Sequence, residues 1–175
     1  MEPETLMLYK LIVLYILNHV DFPMSNSQLT DFMTEKGYTG YFNIQQVIND
    51  LASDAYIEAT VTRSQTLYNI TDEGRQTLSF FYKKISKDIR DDIDLYLTDR
   101  KYALREEVSS IADYYERHPG EYVVDLKILE RNTTTVELIM TVGSVAAAES
   151  ACDKWKQKNA DIYAYVLNTL LKDES

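Results

Sequence analysis

Residues 38–54 read YTGYFNIQQVINDLASD. Within that stretch Ile44, Val47, Ile48 and Leu51 recur at i, i+3, i+4 and i+7, which is one apolar face of an α-helix over 41–54. The opposite face carries Gln45, Gln46, Asn49 and Ser53, with Asn43 and Asp50 to one side. Such a helix seats its aliphatic side on its neighbours and turns carboxamides outward. The rest of the N-terminal half is arranged around it.

Upstream, Ser25 followed three residues later by Gln28 is a capping-box signature opening a helix. Leu29, Phe32 and Met33 form its inner stripe, Lys36 suits the negative end of its dipole, and Gly37 suits its C-terminal cap. Before it, Leu8, Leu11, Ile12, Tyr15 and Ile16 keep helical spacing while Leu6, Met7, Tyr9, Val13, Leu14 and Leu17 fill most other faces. A helix apolar nearly all round is buried on more than one side, with a second subunit as one source of cover. Pro23 ends it. Downstream, residues 56–62 and 67–70 read as extended, Ile57, Ala59 and Val61 alternating with polar residues and 63–66 forming a polar hairpin tip. Thr71 then caps a helix through Leu78, Phe81 and Ile85, with Asp72 and Glu73 at its positive end. Three helices, a hairpin and a fourth helix within residues 1–86 are the layout of a winged helix-turn-helix domain.

Residues 87–103 read as a connecting helix, with Ile85, Ile89, Ile93 and Tyr96 or Leu97 on one side and Asp91, Asp92 and Asp94 on the other. Residues 104–175 form a further α+β domain. Residues 104–118 fit helix and strand periodicity alike; a strand is preferred because His118-Pro119-Gly120-Glu121 suits a type II turn into Tyr122. Residues 122–130 and 136–142 alternate as two strands joined near Asn132-Thr133. Ser144 caps a long helix with the stripe Ala148, Cys152, Trp155, Asn159, Ile162, Tyr163, Val166 and Leu170. The expected fold class is therefore α+β: an N-terminal winged helix-turn-helix domain followed by a three-stranded antiparallel sheet covered by a long helix.

At 175 residues and 45% hydrophobic, the chain can bury a real core. Its 18 basic and 28 acidic side chains leave a net charge of -10, which disfavours general coating of polyanions or adsorption to membranes. The apolar run 6–17 is broken by Lys10 and falls short of the roughly 20 residues a membrane span needs. Glu2 and Glu4 stand where a secretory signal would be basic. Cys152 is the lone cysteine, so neither an internal disulfide nor a thiolate metal site can be built, and a cytoplasmic setting is expected. It reads as a small buried hydrophobe. The histidines His19 and His118 flank turns with no nucleophile beside them, and no phosphate-binding glycine loop or zinc motif occurs. Asp91, Asp92 and Asp94 lack a calcium-loop spacing and read as a solvated helix face. Neither enzymatic activity nor a cofactor or metal is expected.

Double-stranded DNA is the expected partner. In a helix-turn-helix the second helix enters the major groove. There Gln45, Gln46 and Asn49 can pair with adenine, and Tyr41 and Asn43 can reach phosphates at the helix start. The hairpin tip supplies Arg63, Ser64 and Gln65 for phosphate or minor-groove contact. Against this, residues 37–62 contain no lysine or arginine, and over 1–86 Lys10, Lys36, Arg63, Arg75, Lys83 and Lys84 face ten acids. A winged helix serving as a protein-interaction platform is the alternative. Tyrosines in the C-terminal part, Tyr114, Tyr115, Tyr122, Tyr163 and Tyr165, suit either sheet propensity or a pocket.

The runs at 10–17, 26–29, 38–46 and 68–74, with Ala112-Asp113-Tyr114-Tyr115, Gly120-Glu121-Tyr122 and Trp155 followed by Ile162-Tyr163, resemble an uncharacterised bacterial winged-helix family catalogued as a domain of unknown function. The stretch YNITDEG at 68–74 also resembles a feature of PadR-like and MarR-like regulators, which are dimers. The resemblance implies a winged-helix N-terminus and a transcription regulator. With it the chain is expected to be a homodimer whose C-terminal domain pairs subunits or senses a small-molecule effector.

Overall fold

The computed structural model describes residues 2–171. Among them the architecture is mixed α+β, with six α-helices and two three-stranded antiparallel sheets. The chain divides into two compact units: Met1–Val61 with Gln65–Val108, and Thr62–Ser64 with Ser109–Ser175.

The first unit opens with α1 (Pro3–Asn18), proline standing in its first turn where no amide hydrogen is needed. Leu11 to Leu17 are seven consecutive residues at no more than 3% exposure. The all-round apolarity is thus satisfied within one chain, since α3 (Tyr41–Ser53), α4 (Asp72–Phe81) and the hairpin pack around α1; no second subunit is needed there. After Pro23 comes a strand the periodicity did not announce, β1 (Met24–Ser25). It pairs antiparallel with β3 (Thr66–Ile70), whose other neighbour is β2 (Ile57–Val61), so the expected two-stranded hairpin is one side of a three-stranded sheet ordered β1-β3-β2.

Ser25 ends that strand and also caps α2 (Asn26–Glu35). Gln28 N–H donates to Ser25 Oγ (3.2 Å) and Ser25 N–H to Gln28 Oε1 (3.0 Å), the reciprocal pair expected of a capping box. Gln28 is buried, yet its amide is satisfied: Nε2 donates to the Leu104 carbonyl (3.0 Å) and to Glu107 Oε2 (2.7 Å), tying α2 to α5 (Lys87–Val108). The α2–α3 turn closes with Tyr38 N–H on Met33 O (3.0 Å) and Gly37 N–H on Thr34 O (3.0 Å). That geometry requires Gly37 at φ 69°, a left-handed conformation a side chain resists.

Thr71 caps α4, accepting from Gly74 N–H (3.1 Å). The helix expected to run to Ile85 instead passes into a 3-10 turn, Tyr82–Lys84. Then α5 runs 22 residues to Val108, burying Ile93, Tyr96, Leu97, Leu104 and Val108. The strand expected over 104–118 is therefore β4 (Ser110–His118) alone, the first five residues completing the helix. Their apolar spacing, Leu104 and Val108 at i and i+4, was the helical half of the ambiguity.

In the second unit β4 pairs with β5 (Glu121–Glu130) and β5 with β6 (Thr133–Val142), all antiparallel. Gly120 at φ 76° follows Pro119 in the β4–β5 turn, as a type II turn requires. The β5–β6 turn is centred on Arg131 (φ 47°) and Asn132 (φ 62°), one residue earlier than expected, and two left-handed residues there match the strand twist. α6 (Val145–Leu171) opens on Ser144, whose Oγ accepts from Ala147 N–H (3.2 Å). Ala148, Cys152 and Trp155 of α6 bury against Val124, Leu126 and Ile128, and Trp155 Nε1 donates to the Lys127 carbonyl (3.2 Å). Burial also pushes the Cys152 thiol up, in keeping with an inert core residue.

Candidate functional site

Ile44, Val47, Ile48 and Leu51 are buried to 1% or less, which fixes the rotation of α3. Asn43, Gln46, Asn49 and Ser53 are consequently exposed along one edge, in the spacing i, i+3, i+6, i+10. At the start of the helix Tyr41 and Phe42 stand 57% and 86% exposed, edge to face with centroids 5.7 Å apart. The tyrosine was expected at this edge; the phenylalanine was not, although it lies outside the apolar stripe and so could have been placed there.

Gln45 is engaged inside the first unit. Its carboxamide pairs reciprocally with that of Asn26 (both contacts 3.0 Å) and donates to Thr30 Oγ1 (2.8 Å). It is half-buried and joins α2 to α3, with both amide hydrogens donated inside the unit. Although set among the outward amides by its spacing, on an ideal wheel it lies closer to the apolar stripe than Gln46 or Asn49, and its partner residues on α2 decide which way it turns.

At the hairpin tip Arg63 and Ser64 are exposed and Gln65 is half-buried. Thr62–Ser64 group with the second unit. There the Arg63 guanidinium donates to Glu149 Oε1 (3.2 Å) and lies 4.1 Å from the Tyr114 ring centroid, and its backbone N–H donates to Asp113 Oδ2 (3.1 Å). The structure thus places Tyr41, Asn43, Gln46 and Asn49 together on α3, turns Gln45 inward, and gives Arg63 a protein partner.

Two lysines of the first unit are engaged likewise. Lys10 contacts Asp50 (3.2 Å) and Asp54 (3.4 Å), and Lys36 contacts Asp92 (2.6 Å). Asp92 also accepts from the Tyr38 hydroxyl (2.7 Å). The Lys36 hydrogen bond holds the Asp92 carboxyl below the usual carboxylate range, while burial and the hydrogen bond to Asp92 push the Tyr38 phenol up. Asp94 accepts from the Tyr15 hydroxyl (3.1 Å), and Asp91 pairs with Lys87. Asp91 and Asp94 of this acidic face of α5 are exposed and Asp92 is half-buried, and each of the three has a hydrogen-bond or ion-pair partner. Among the described residues no group of three or more His, Cys, Asp or Glu side chains is arranged to hold a metal ion. No helix among them is long and apolar enough to cross a membrane.

A cavity of about 230 Å³ in the first unit is lined by His19, Asp94, Leu97, Thr98 and Lys101. Of the C-terminal tyrosines, Tyr114 and Tyr122 on the sheet and Tyr163 on α6 pack against the core of the second unit, so their apolar surface is structural.

No curated protein and no solved structure matches the chain. A family described as a domain of unknown function, DUF4364, matches residues 9–170. That span covers nearly the whole sequence, and the chain belongs to the DUF4364 family.

Proposed function

We propose that residues 1–86 are a winged helix-turn-helix domain with which a homodimeric cytoplasmic regulator of transcription reads double-stranded DNA. The carrying observation is the exposed amide edge of α3, Asn43, Gln46 and Asn49, on the second helix of a helix–turn–helix pair and followed in the chain by a β-hairpin. Carboxamides donate to adenine N7 and accept from its N6 amino group, a recognition that needs no positive charge. Tyr41 and Asn43, in the first turn of α3, suit phosphate contacts that fix register. Gln45 has no part in base reading and braces the recognition helix instead. The C-terminal unit pairs subunits or senses an effector, and a dimer addresses two half-sites about one helical turn apart.

The test is fluorescence anisotropy of the full chain against duplexes from its own promoter region. Gln46→Ala with Asn49→Ala should weaken the best site by about 1–3 kcal/mol per lost adenine pair while leaving non-specific binding unchanged. Absence of binding at low salt, or indifference to both substitutions, refutes it. A second reading, a protein-interaction platform without DNA binding, is favoured by a separate observation: Lys10, Lys36 and Arg63 all hold carboxylates, while Tyr41 and Phe42 form an exposed aromatic pair. Phe42→Ala abolishing a nuclease-resistant partner would select it.

A further inference from the structure

The sheet of the second unit has two edges, and they are built differently. β4 carries Asp113, Glu116 and Arg117, its register shifts between Glu116 and His118, and Asp113 is occupied by the Arg63 backbone N–H. Charges, a bulge and a covering segment are the ordinary means of keeping an edge from pairing with another chain. β6 reads TTTVELIMTV and has neither proline nor a basic residue. Its one charge, Glu137, pairs with Lys127 (3.1 Å), which also holds Asp125 (2.8 Å). Among the described residues its outer side pairs with no strand.

The side chains of β6 are incompletely covered as well. Val124, Leu126 and Ile128 on the central strand are buried beneath α6, which packs chiefly on β4 and β5. Val136, Leu138, Met140 and Val142 of β6 face the same core but remain half-buried. On the opposite face Ile139, a large apolar residue at a sheet edge, is 59% exposed.

We propose that β6 is the homodimer interface, pairing antiparallel with β6 of a second copy about a two-fold axis at Ile139 to form a continuous six-stranded sheet. This names the surface of the homodimer proposed above, and it stands on the second unit alone. A second copy is the occupant because the edge complements itself. A two-fold axis brings a strand against its own reverse, which is an antiparallel ladder. The regular segment 136–142, in unbroken register with β5, is centred on Ile139. About that centre Val136 meets the partner's Val142, Leu138 meets the partner's Met140, and Ile139 meets its own copy. All four half-buried residues then fall on one continuous apolar face. Glu137 falls opposite Thr141, so no like charges face each other; centring on Glu137 would set carboxylate against carboxylate. The seven residues 136–142 of each strand can then pair, supplying about six to eight hydrogen bonds, within the number that typical specific interfaces carry.

The test uses the full chain. Light scattering on a sizing column should give twice 20.3 kDa for the natural sequence. Ile139→Lys, which sets two ammonium groups face to face, should raise the dissociation constant about tenfold or more with an unchanged circular dichroism spectrum. Directly opposed residues have Cα atoms about 4.5 or 5.5 Å apart, within disulfide range, so Ile139→Cys should form a covalent dimer under mild oxidation. Tyr115→Cys, on the exposed face of β4, should not. Should Ile139→Lys fail to fold, the cysteine pair and hydrogen exchange of β6 amides, protected in the concentrated protein and lost on dilution, decide instead. A monomer at every concentration overturns the proposal, as does a dimer indifferent to Ile139→Lys. Dissociation by Leu170→Glu with Leu171→Glu, both exposed on α6, in a dimer that resists Ile139→Lys places the contact on that helix and equally overturns it.

Discussion

Gly74 is the residue at which a single methyl group tests the packing of the first unit. It lies in the first turn of α4, where the helix crosses the start of β2, and it is buried. A Cβ built there meets the Tyr56 carbonyl oxygen at 2.2 Å, the Tyr56 carbonyl carbon at 3.1 Å and Ile70 Cγ1 at 2.9 Å. The isoleucine can rotate away. The carbonyl cannot, because Thr71 N–H donates to it (3.1 Å) and the adjacent Ala55 carbonyl accepts from Thr71 Oγ1 (2.7 Å). Relief requires α4 to lift from β2, stretching the hydrogen bond to Tyr56, worth about 1 kcal/mol, on top of an overpacking cost of about 1–3 kcal/mol. Alanine returns about 1 kcal/mol of helix propensity. Gly74→Ala should therefore lose about 1–3 kcal/mol, a fall in Tm of about 2–12 °C for a chain of this size. Thermal melts and urea titrations followed by circular dichroism measure it. Gly143→Ala, whose Cβ meets nothing within 4 Å, is the control and should stay within about 0.5 kcal/mol. Gly37→Ala, in open space but at φ 69°, should fall between them at about 1–2 kcal/mol. A Gly74→Ala protein as stable as the Gly143→Ala control refutes the close approach of α4 to the Tyr56 carbonyl.

Two further predictions concern the polar contacts. Gln45→Ala removes three hydrogen bonds to Asn26 and Thr30, leaving those two only their mutual contact, and should cost about 1–2 kcal/mol in urea denaturation, whereas Asn49→Ala on the exposed edge should cost less than about 0.5 kcal/mol; equal effects would contradict the division of α3 into bracing and presenting amides. Asp92 has a lowered folded pKa, so its contact with Lys36 and Tyr38 adds stability above the unfolded carboxylate value of about 3.9, and that stability is lost as pH falls through the folded value. Asp21, held low by Arg105, acts in the same direction. Asp92→Asn should consequently reduce, without abolishing, the acid dependence of the urea midpoint and converge with the natural protein at the acid end; an undiminished slope would show that the pair does not act on stability.

Elements announced by periodicity and by caps were legible in the sequence. The stripe Ile44, Val47, Ile48, Leu51 fixes α3, and Ser25, Thr71 and Ser144 each cap the helix expected of them. Tertiary pairing was not legible. β1 is two residues long, so it has no alternation to detect, and Ser25 looks only like a cap until Leu67 is seen across from it. Residues 104–108 were ambiguous because an apolar pair at i, i+4 also falls on one face of a strand; the choice is made by Gln28, whose buried amide needs the Leu104 carbonyl near the end of α5. Among the site residues, exposure of Asn43, Gln46 and Asn49 followed from burial of the opposite stripe. The fates of Gln45 and Arg63 depended on Asn26 and Glu149, 19 and 86 residues away in sequence, where no local pattern reaches.

The paired cations bear directly on how α3 would act on DNA. An exposed ion pair is worth only about 0–1 kcal/mol, so a phosphate can displace Asp92 from Lys36 or Glu149 from Arg63 at small cost. Each such exchange frees a carboxylate that again attracts cations, so the net release of counterions per contact is less than a free lysine would give. With Lys10 held by Asp50 on α3 and by Asp54 at its C-terminal cap, binding through this helix neutralises one or two phosphates at most on each subunit. The slope of log K against log salt for a dimer should then be about -2 to -4, shallow beside that of a basic repressor. Specificity would rest on the carboxamides, and the ratio of specific to non-specific affinity would hardly change with salt. A steep slope would mean that lysines outside α3 and the hairpin carry the affinity, and the amide edge would lose its claim to be the reading surface.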